Sequence, residues 1–416
     1  MVSLKFRDIP KNYTESWRRL LLKLSPHHVK DPDNFERSLQ HLLRKESESI
    51  KDLRATFNER RETISPKLLS THKKIFTYLL GFHLPNATRL LGTWQRLEER
   101  WDLSALLPRK PKAKASTNSE EVPPPPRLLL WDFGAGSGAM SQLLYSLLKP
   151  HFEETRAYLY DSNSLLLEAA KDFFAFYKEL DKPKHPKDTD LEPHLRIYPR
   201  KVPLQELNTR PSISDSDLVM VCLGYIWNEL SSNSKARGKI LEFIVELQRG
   251  GKKALIFLIE PGRDFTARAA MMLRDELVDM GLKVLYPCPH DQPCPMLLRS
   301  KDWCYSEFPS QVLPKEAQLV DKHVSMERSL LAASTYVFAT DAAYKQLGPS
   351  KSAKKEVIVG RPLLDQDTRS YEDLLCSPEG ELLKKEPQLP EKREEGAPRK
   401  KPPFLRGEMR TSTDLS

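Results

Sequence analysis

Arg127-Leu-Leu-Leu-Trp-Asp-Phe-Gly-Ala-Gly-Ser-Gly138 decides the fold of this 416-residue chain. Three leucines and a tryptophan run together without a polar break, as in a strand covered on both faces of a parallel sheet. The run ends at Asp132, and Gly134, Gly136 and Gly138 follow at alternate positions. Glycines that close together weaken a chain unless the backbone must turn sharply or let a ligand reach the main chain. From Ala139 to Lys149, Leu143, Leu144, Leu147 and Leu148 then fall on one helical face. Strand, glycine turn and helix form the opening unit of a nucleotide-binding α/β sheet.

The units downstream repeat the pattern. A second strand, Arg156 to Tyr160, ends in Asp161, and a helix is expected from Ser164 to Leu180. Leu195 to Tyr198 is a short third strand, and Asp217-Leu-Val-Met-Val-Cys222 a buried fourth. A helix from Lys235 to Gln248 stops at Gly250-Gly251. Ala254 to Glu260, a helix from Thr266 to Met280, and strands at Leu282 to Tyr286 and Ser334 to Ala339 complete the series. Strands alternating with helices predict a doubly wound, Rossmann-like sheet.

Four segments follow. Residues 1–107 read as a helical N-terminal domain, with helices over Glu36–Phe57, Pro66–Leu84 and Ala87–Trp101 and a break at Pro85-Asn86. Residues 108–126 hold lysines and four consecutive prolines and read as a linker. The sheet domain occupies 127–340 with a cysteine-bearing loop at 286–304. Residues 341–416 read as a small β extension with a polar, proline-rich tail.

Composition narrows the class. Apolar residues make up 39% and charged residues 30%, as in a soluble protein with solvated appendages. No run of about 18 apolar residues is present, so no transmembrane helix and no membrane partner are expected. The N-terminus lacks the apolar core of a secretory signal and carries Asp8 and Glu15 early, which predicts a cytoplasmic location. The net charge of +9 suits contact with a phosphate backbone without proving it. DNA is not an expected partner.

The glycine turn reads Asp-x-Gly-x-Gly-x-Gly rather than the G-x-G-x-x-G of dinucleotide sites. A glycine-rich turn of an ordinary α/β domain and a dinucleotide site are the competing readings. The pattern resembles the first motif of class I methyltransferases that use S-adenosylmethionine. By that resemblance the glycines lie beside the methionine part of the cofactor, Asp132 acts near its amino end, and Asp161 accepts from both ribose hydroxyls. Catalytic equipment is thin. Where amino-methylating enzymes show Asn/Asp-Pro-Pro-Tyr/Phe, the fourth strand here exits into Leu223-Gly-Tyr-Ile226. Cys222 follows Val221 rather than a proline and reads as a core thiol. Glu229 and Glu260 reach the ligand edge of the sheet, where capping a helix or ordering a loop is their ordinary role. No catalytic residue is assigned.

The cysteines carry the second signal. Tyr286-Pro-Cys-Pro-His-Asp-Gln-Pro-Cys-Pro295 is followed by Asp302-Trp-Cys304, a C-x5-C-x9-C spacing. A fourth thiol, Cys376, lies in Leu374-Leu-Cys-Ser-Pro-Glu-Gly380, and His290 is a substitute ligand. Four thiols in proline-rich sequence suit an iron-sulfur cluster, a zinc ion or, without a metal, unlinked core positions. The spacing is wider than the usual zinc knuckle and fits a cluster better.

Cys-Pro-His-x-x-x-Cys-Pro, the third cysteine, the late Cys-x-Pro-Glu-Gly and Phe76-Thr-Tyr-Leu-Leu-Gly-Phe-His-Leu-Pro-Asn-Ala87 together resemble one family. It comprises the methyltransferase-like assembly factors of the small ribosomal subunit, known from mitochondria and with bacterial relatives. The resemblance implies a 4Fe-4S cluster on Cys288, Cys294, Cys304 and Cys376, association with small-subunit rRNA, and a role in ribosome assembly and translation. It implies S-adenosylmethionine as cofactor on Asp132, Gly134, Gly136, Gly138 and Asp161, and rRNA methylation as the activity of such a fold. The proline-rich linker and the absence of an evident transit peptide point to a bacterial-type, cytoplasmic member, with a mitochondrial one as the alternative.

Overall fold

The computed structural model describes residues 6–27, 34–59, 68–108, 126–181, 194–202, 206, 213–215, 217–326, 329–349, 355–364, 371–385, 406–407 and 409–410. Of the expected linker, 108–126, only the two end residues are described, and the tail at 386–401 lies outside the described residues.

Eight strands make the central sheet. They are β1 Arg127–Phe133, β2 Glu154–Asp161, β3 His194–Lys201, β4 Leu218–Gly224, β5 Lys253–Pro261, β6 Lys283–Tyr286, β7 Ser306–Pro309 and β8 Leu330–Ala339. Their order is β3-β2-β1-β4-β5-β8-β6, with β7 paired to β8. The first five strands are mutually parallel. β8 enters antiparallel between β5 and β6. Sequence alternation foresees a last strand in this sheet, and the structure adds where it goes. The chain leaves β6 into the cysteine loop, turns through β7 and α9 (Lys315–His323), and comes back from the opposite end.

Helices flank both faces. α5 (Ala139–Leu148) and α6 (Ser164–Leu180) follow β1 and β2, α7 (Ser234–Arg249) follows β4, and α8 (Asp264–Asp279) follows β5. Asn163 caps α6, its side chain accepting from the N–H groups of Leu165 and Leu166 at 3.0 and 3.2 Å. Asn233 caps α7 by accepting from Ala236 N–H. Beyond α10 (Asp341–Leu347), β9 (Glu356–Leu364), β10 (Tyr371–Cys376), β11 (Leu382–Lys385) and β12 (Met409–Arg410) form a second sheet in the order β11-β10-β9-β12.

The N-terminal helices are α1 (Lys11–Leu24), α2 (Phe35–Glu59), α3 (His72–Tyr78) and α4 (Leu84–Arg100). Trp17, Leu20, Leu21, Leu39, Leu42 and Leu43 are fully buried, in one continuous apolar cluster with the α5–α6 face of the sheet. The expected break at Pro85-Asn86 does not occur. α3 passes through a π-turn, Leu79–His83, directly into α4, and Pro85 stands in the first turn of the new helix. Pro85 has no N–H to give to the Gly81 carbonyl four residues back, and that oxygen accepts from Arg54 at 3.1 Å instead, so the ring is tolerated.

One polar chain fixes how this cap sits. His83, wholly buried, places Nδ1 at 2.8 Å from Ser137 Oγ and Nε2 at 2.9 Å from the Tyr13 hydroxyl. Tyr13 donates onward to the carbonyl of Ala139 at 3.0 Å. Since the phenol spends its proton there, His83 must donate from Nε2 and accept from Ser137 at Nδ1. Burial holds the imidazole neutral, its pKa lowered to about 3. Each buried apolar side chain contributes about 1.5–3 kcal/mol, against about 1 kcal/mol for a hydrogen bond. Packing therefore holds the cap on, and the polar chain sets its register.

A histidine kept neutral in the fold stabilises fully above its ordinary value of 6.5 and less as pH falls toward 3. The stability difference between wild type and His83→Gln, read from urea midpoints, should shrink between pH 7 and pH 4. A difference independent of pH would contradict the buried neutral ring.

Candidate functional sites

The chain turns sharply as it leaves β1. Gly134, Gly136 and Gly138 take φ of 72°, 53° and 72°. Gly134 has no substitute, because a Cβ there would stand 2.3 Å from Ile226 on the loop leaving β4. Its N–H and that of Ala135 donate to the carbonyl of Tyr160, tying the turn to the end of β2. Asp161 closes the arrangement. Its Oδ2 accepts from Gly136 N–H and its Oδ1 from Asn163 N–H, both at 2.8 Å. Burial raises the Asp161 pKa, and those backbone donors pull the other way.

A cavity of about 710 Å³ opens at this edge of the sheet. Its floor is Gly134, Gly136 and Asp161, one wall is Gly224 to Ile226 and Pro261 to Arg263, and its roof comes from the N-terminal helices. Phe57, Tyr78 and Phe82 in that roof form an aromatic trio, with Tyr78 and Phe82 stacked at 5.3 Å. Arg54 reaches the roof from α2, paired with buried Asp321 at 3.0 Å and donating to Gly81 O. Periodicity does not show this roof, although the Phe76–Ala87 stretch that carries the family resemblance is its central part.

Two of the five positions that the sequence resemblance assigns to a cofactor stand back from the cavity. Gly138 caps α5 and packs against Ala170. Asp132 lies beneath the turn, 2% exposed, opposite Cys222 in the β1–β4 register. Burial pushes its carboxyl up to about 7, against hydrogen bonds from Ser141. Its Oδ2 has no hydrogen-bond partner among the described residues. Cys222 is fully buried, with its pKa raised by burial and by Asp132, as a core thiol should be.

The β4 exit carries strain. Tyr225 adopts φ 60°, rare for a bulky residue, while its N–H donates to Ile259 O at 2.7 Å. Glu260 is buried and accepts from Trp227 N–H at 2.8 Å, so it orders this loop. Glu229 is exposed at the cavity wall.

The cysteine loop lies beyond β6. Cys294, Cys304 and Cys376 are buried and Cys288 is partly so. Burial and neighbouring Cys288 push Cys294 up to about 12. Burial, then Cys288, Cys294 and Cys376, push Cys304 well above the ordinary thiol value. Cys376 is raised by burial and by Cys288 and Cys294. Cys288 thus bears on each of the other three thiols, so the fold gathers all four in one neighbourhood. His290 Nε2 stands 3.1 Å from Cys376 Sγ. Among the described residues, no group of three or more His, Cys, Asp or Glu side chains could hold a metal ion.

Buried arginines organise this region. Arg274 of α8 donates to the carbonyls of Gln292 and His290. Burial works against its charge, and Cys288, Asp275 and Cys294 more than offset that. Arg100 of α4 donates to the Cys288 carbonyl at 3.3 Å. The turn after Cys376 packs on the loop, and Gly380, at φ 86°, leaves room for Gln292 3.0 Å from where a Cβ would be.

Six parallel strands, an antiparallel strand placed next to last in the order, and a glycine turn at the first crossover define the class I methyltransferase fold. Residues 189–385 match the family model for the mitochondrial small ribosomal subunit protein Rsm22, which bears out the family resemblance over a stretch containing all four cysteines. A putative class I S-adenosylmethionine-dependent methyltransferase from Listeria monocytogenes is 11% identical, covering 80% of this chain and 88% of its own, at a TM-score of 0.35. A human methyltransferase 10 domain containing protein is 14% identical, covering 55% and 74%, at 0.27. The plantazolicin methyltransferase BpumL in complex with SAH is 10% identical, covering 73% and 98%, at 0.27. Among curated proteins no match was found.

A carboxyl raised to about 7 from 3.8 adds stability below pH 4 that is lost as pH rises through 7. Asp132→Asn should therefore raise the urea midpoint of the ligand-free protein at pH 8 and have little effect at pH 4. A variant less stable at pH 8 would show that the carboxylate is satisfied in the fold.

Proposed function

We propose that this protein is an S-adenosylmethionine-binding, cluster-bearing factor of the small ribosomal subunit, acting in ribosome assembly and translation. The observation that carries the reading is that a glycine-floored cavity at the end of the central sheet is joined by a neighbourhood of four thiols, where the loop after β6 meets β10.

The residues fit the cofactor. Gly134 and Gly136 expose main chain to the cavity, and Asp161 lines it. Each Asp161 oxygen retains a lone pair beside its backbone donor, enough to accept from two ribose hydroxyls. Asp132, with its unpartnered oxygen, gains from a cation placed above the turn. Gly138 acts indirectly, by starting α5 where the turn needs it. When bound, the cofactor supplies an electrophilic methyl group. The chain's own residues bind, orient and exclude water, which can carry much of such a reaction. rRNA is the proposed acceptor. The strained Tyr225 loop faces the place where an acceptor would stand.

The donor set also fits a 4Fe-4S cluster. Such a cluster takes one thiolate on each of four irons, so its ligands need not converge on a point as those of a single zinc do. Cys288, Cys294, Cys304 and Cys376 would hold it, and Arg274 and Arg100 would balance its negative charge. The mitochondrial description of the matched family favours the mitochondrial location over the cytoplasmic one.

Protein purified without oxygen should be brown and carry about four irons per chain, and Cys288→Ser with Cys376→Ser should lose both. It should bind S-adenosylhomocysteine, more weakly in Asp161→Ala, and co-sediment with small ribosomal subunits. Colourless protein holding one zinc would overturn the cluster, and failure to bind the nucleoside would overturn the cofactor. Labelled methyl transfer to immature subunits separates an enzyme from a non-catalytic factor.

A further inference from the structure

The edge strand β3 is unlike the rest of the sheet. Its Leu195 and Ile197 turn toward the α6 face and pack on the main cluster. His194, Arg196, Tyr198 and Arg200 alternate with them and so share the opposite face. β2 lies parallel beside it, with Arg156 opposite Arg196, Tyr158 opposite Tyr198 and Tyr160 opposite Arg200. The two strands therefore present arginine and tyrosine in matched rows.

The rings form a ladder reaching the surface. Phe243 packs on Trp131 at 4.4 Å, Trp131 on Tyr158 at 4.8 Å, and Tyr158 on Tyr198 at 4.9 Å with the last two planes 10° apart. Tyr198, part-exposed on the edge strand, is the outermost member. It stands between two exposed arginines, Arg196 and Arg200, with exposed Lys201 following. Glu154 is the acid among them, and it is held by Arg156 at 2.8 Å with Arg196 at 3.6 Å. The face is left with more positive than negative charge.

We propose that this face is a track for single-stranded RNA leading to the cofactor cavity. A charged residue on either side of a supported aromatic ring, spaced two residues apart along a strand, matches phosphates flanking a stacked base. Duplex is a poor fit, since a stacked ring needs an unpaired base. The direction follows from the register. Lys201 pairs with Asp161, and Val202, the next residue, lines the cavity. A strand lying on β3 would thus bring a nucleotide to the cavity mouth. This end point rests on the proposed function, whereas the track stands on its own residues.

The test is fluorescence anisotropy of the full-length chain with a labelled 12-nucleotide single-stranded RNA, titrated at several salt concentrations. Arg196→Gln with Arg200→Gln should flatten the slope of log affinity against log salt by about 1.4, for two lost cations. Tyr198→Ala should weaken binding about fivefold or more, and Tyr198→Phe should restore it. Affinity for S-adenosylhomocysteine should be unchanged in all three variants, which separates loss of the track from loss of the cavity. The track is overturned if the wild type binds no RNA, if either the double variant or Tyr198→Ala binds like wild type, or if a polyglutamate peptide of matched charge competes as well as RNA.

Discussion

A neutral imidazole holds the molecule's two halves in register. His83 joins Ser137 of the glycine turn to Tyr13 of the first helix, and Tyr13 returns to the backbone of Ala139. Every link needs an uncharged ring in one tautomer, which complete burial enforces. Because the helical cap is set by this chain, Tyr78 and Phe82 stand over the glycine turn. Without that roof the sheet edge would be an open groove, and the cavity's polar floor would be solvated. The cap is thus part of the site and not an appendage to it.

The far end of the sheet is built by other means. There the chain lacks long regular elements, and arginines supply the order. Arg268 donates to the carbonyls of Leu297, Arg299 and Asp302, and Arg274 to those of His290 and Gln292. Guanidinium groups suit this task, since one planar fork satisfies several carbonyls that would otherwise be buried without partners. The thiols then sit in a scaffold set by hydrogen bonds and closed by the β10 turn. Trp303 donates to Gly262 O at 3.1 Å, so the same loop touches the cavity wall.

Much of this was legible in the sequence, for physical reasons that can be named. β1, β4 and β5 are apolar runs bounded by glycine, proline or acid, and each lies within a few residues of its expected place. α6, from Ser164 to Leu180, has an asparagine cap and a clear apolar face. What escaped depends on the third dimension. Pro85 reads as a helix breaker, yet the helix runs through it, and only the fold brings Arg54 to the carbonyl that its missing N–H leaves. The placement of β8 between β5 and β6 leaves no local mark, because its alternation is that of any buried strand. Asp132 and Asp161 look alike in sequence, yet one is sealed beneath the turn and the other lines the cavity. β3 reads as a strand from its sequence, but its basic, aromatic face appears only when β2 is laid beside it.

The central claim is that the glycine turn, the end of β2 and the helical roof together make one nucleoside site. Amide hydrogen exchange with and without saturating S-adenosylhomocysteine tests it most directly. Protection should appear together at Gly134–Gly138, at Asp161–Asn163 and at Tyr78–His83. Protection of the turn without the roof, or of neither, would contradict it.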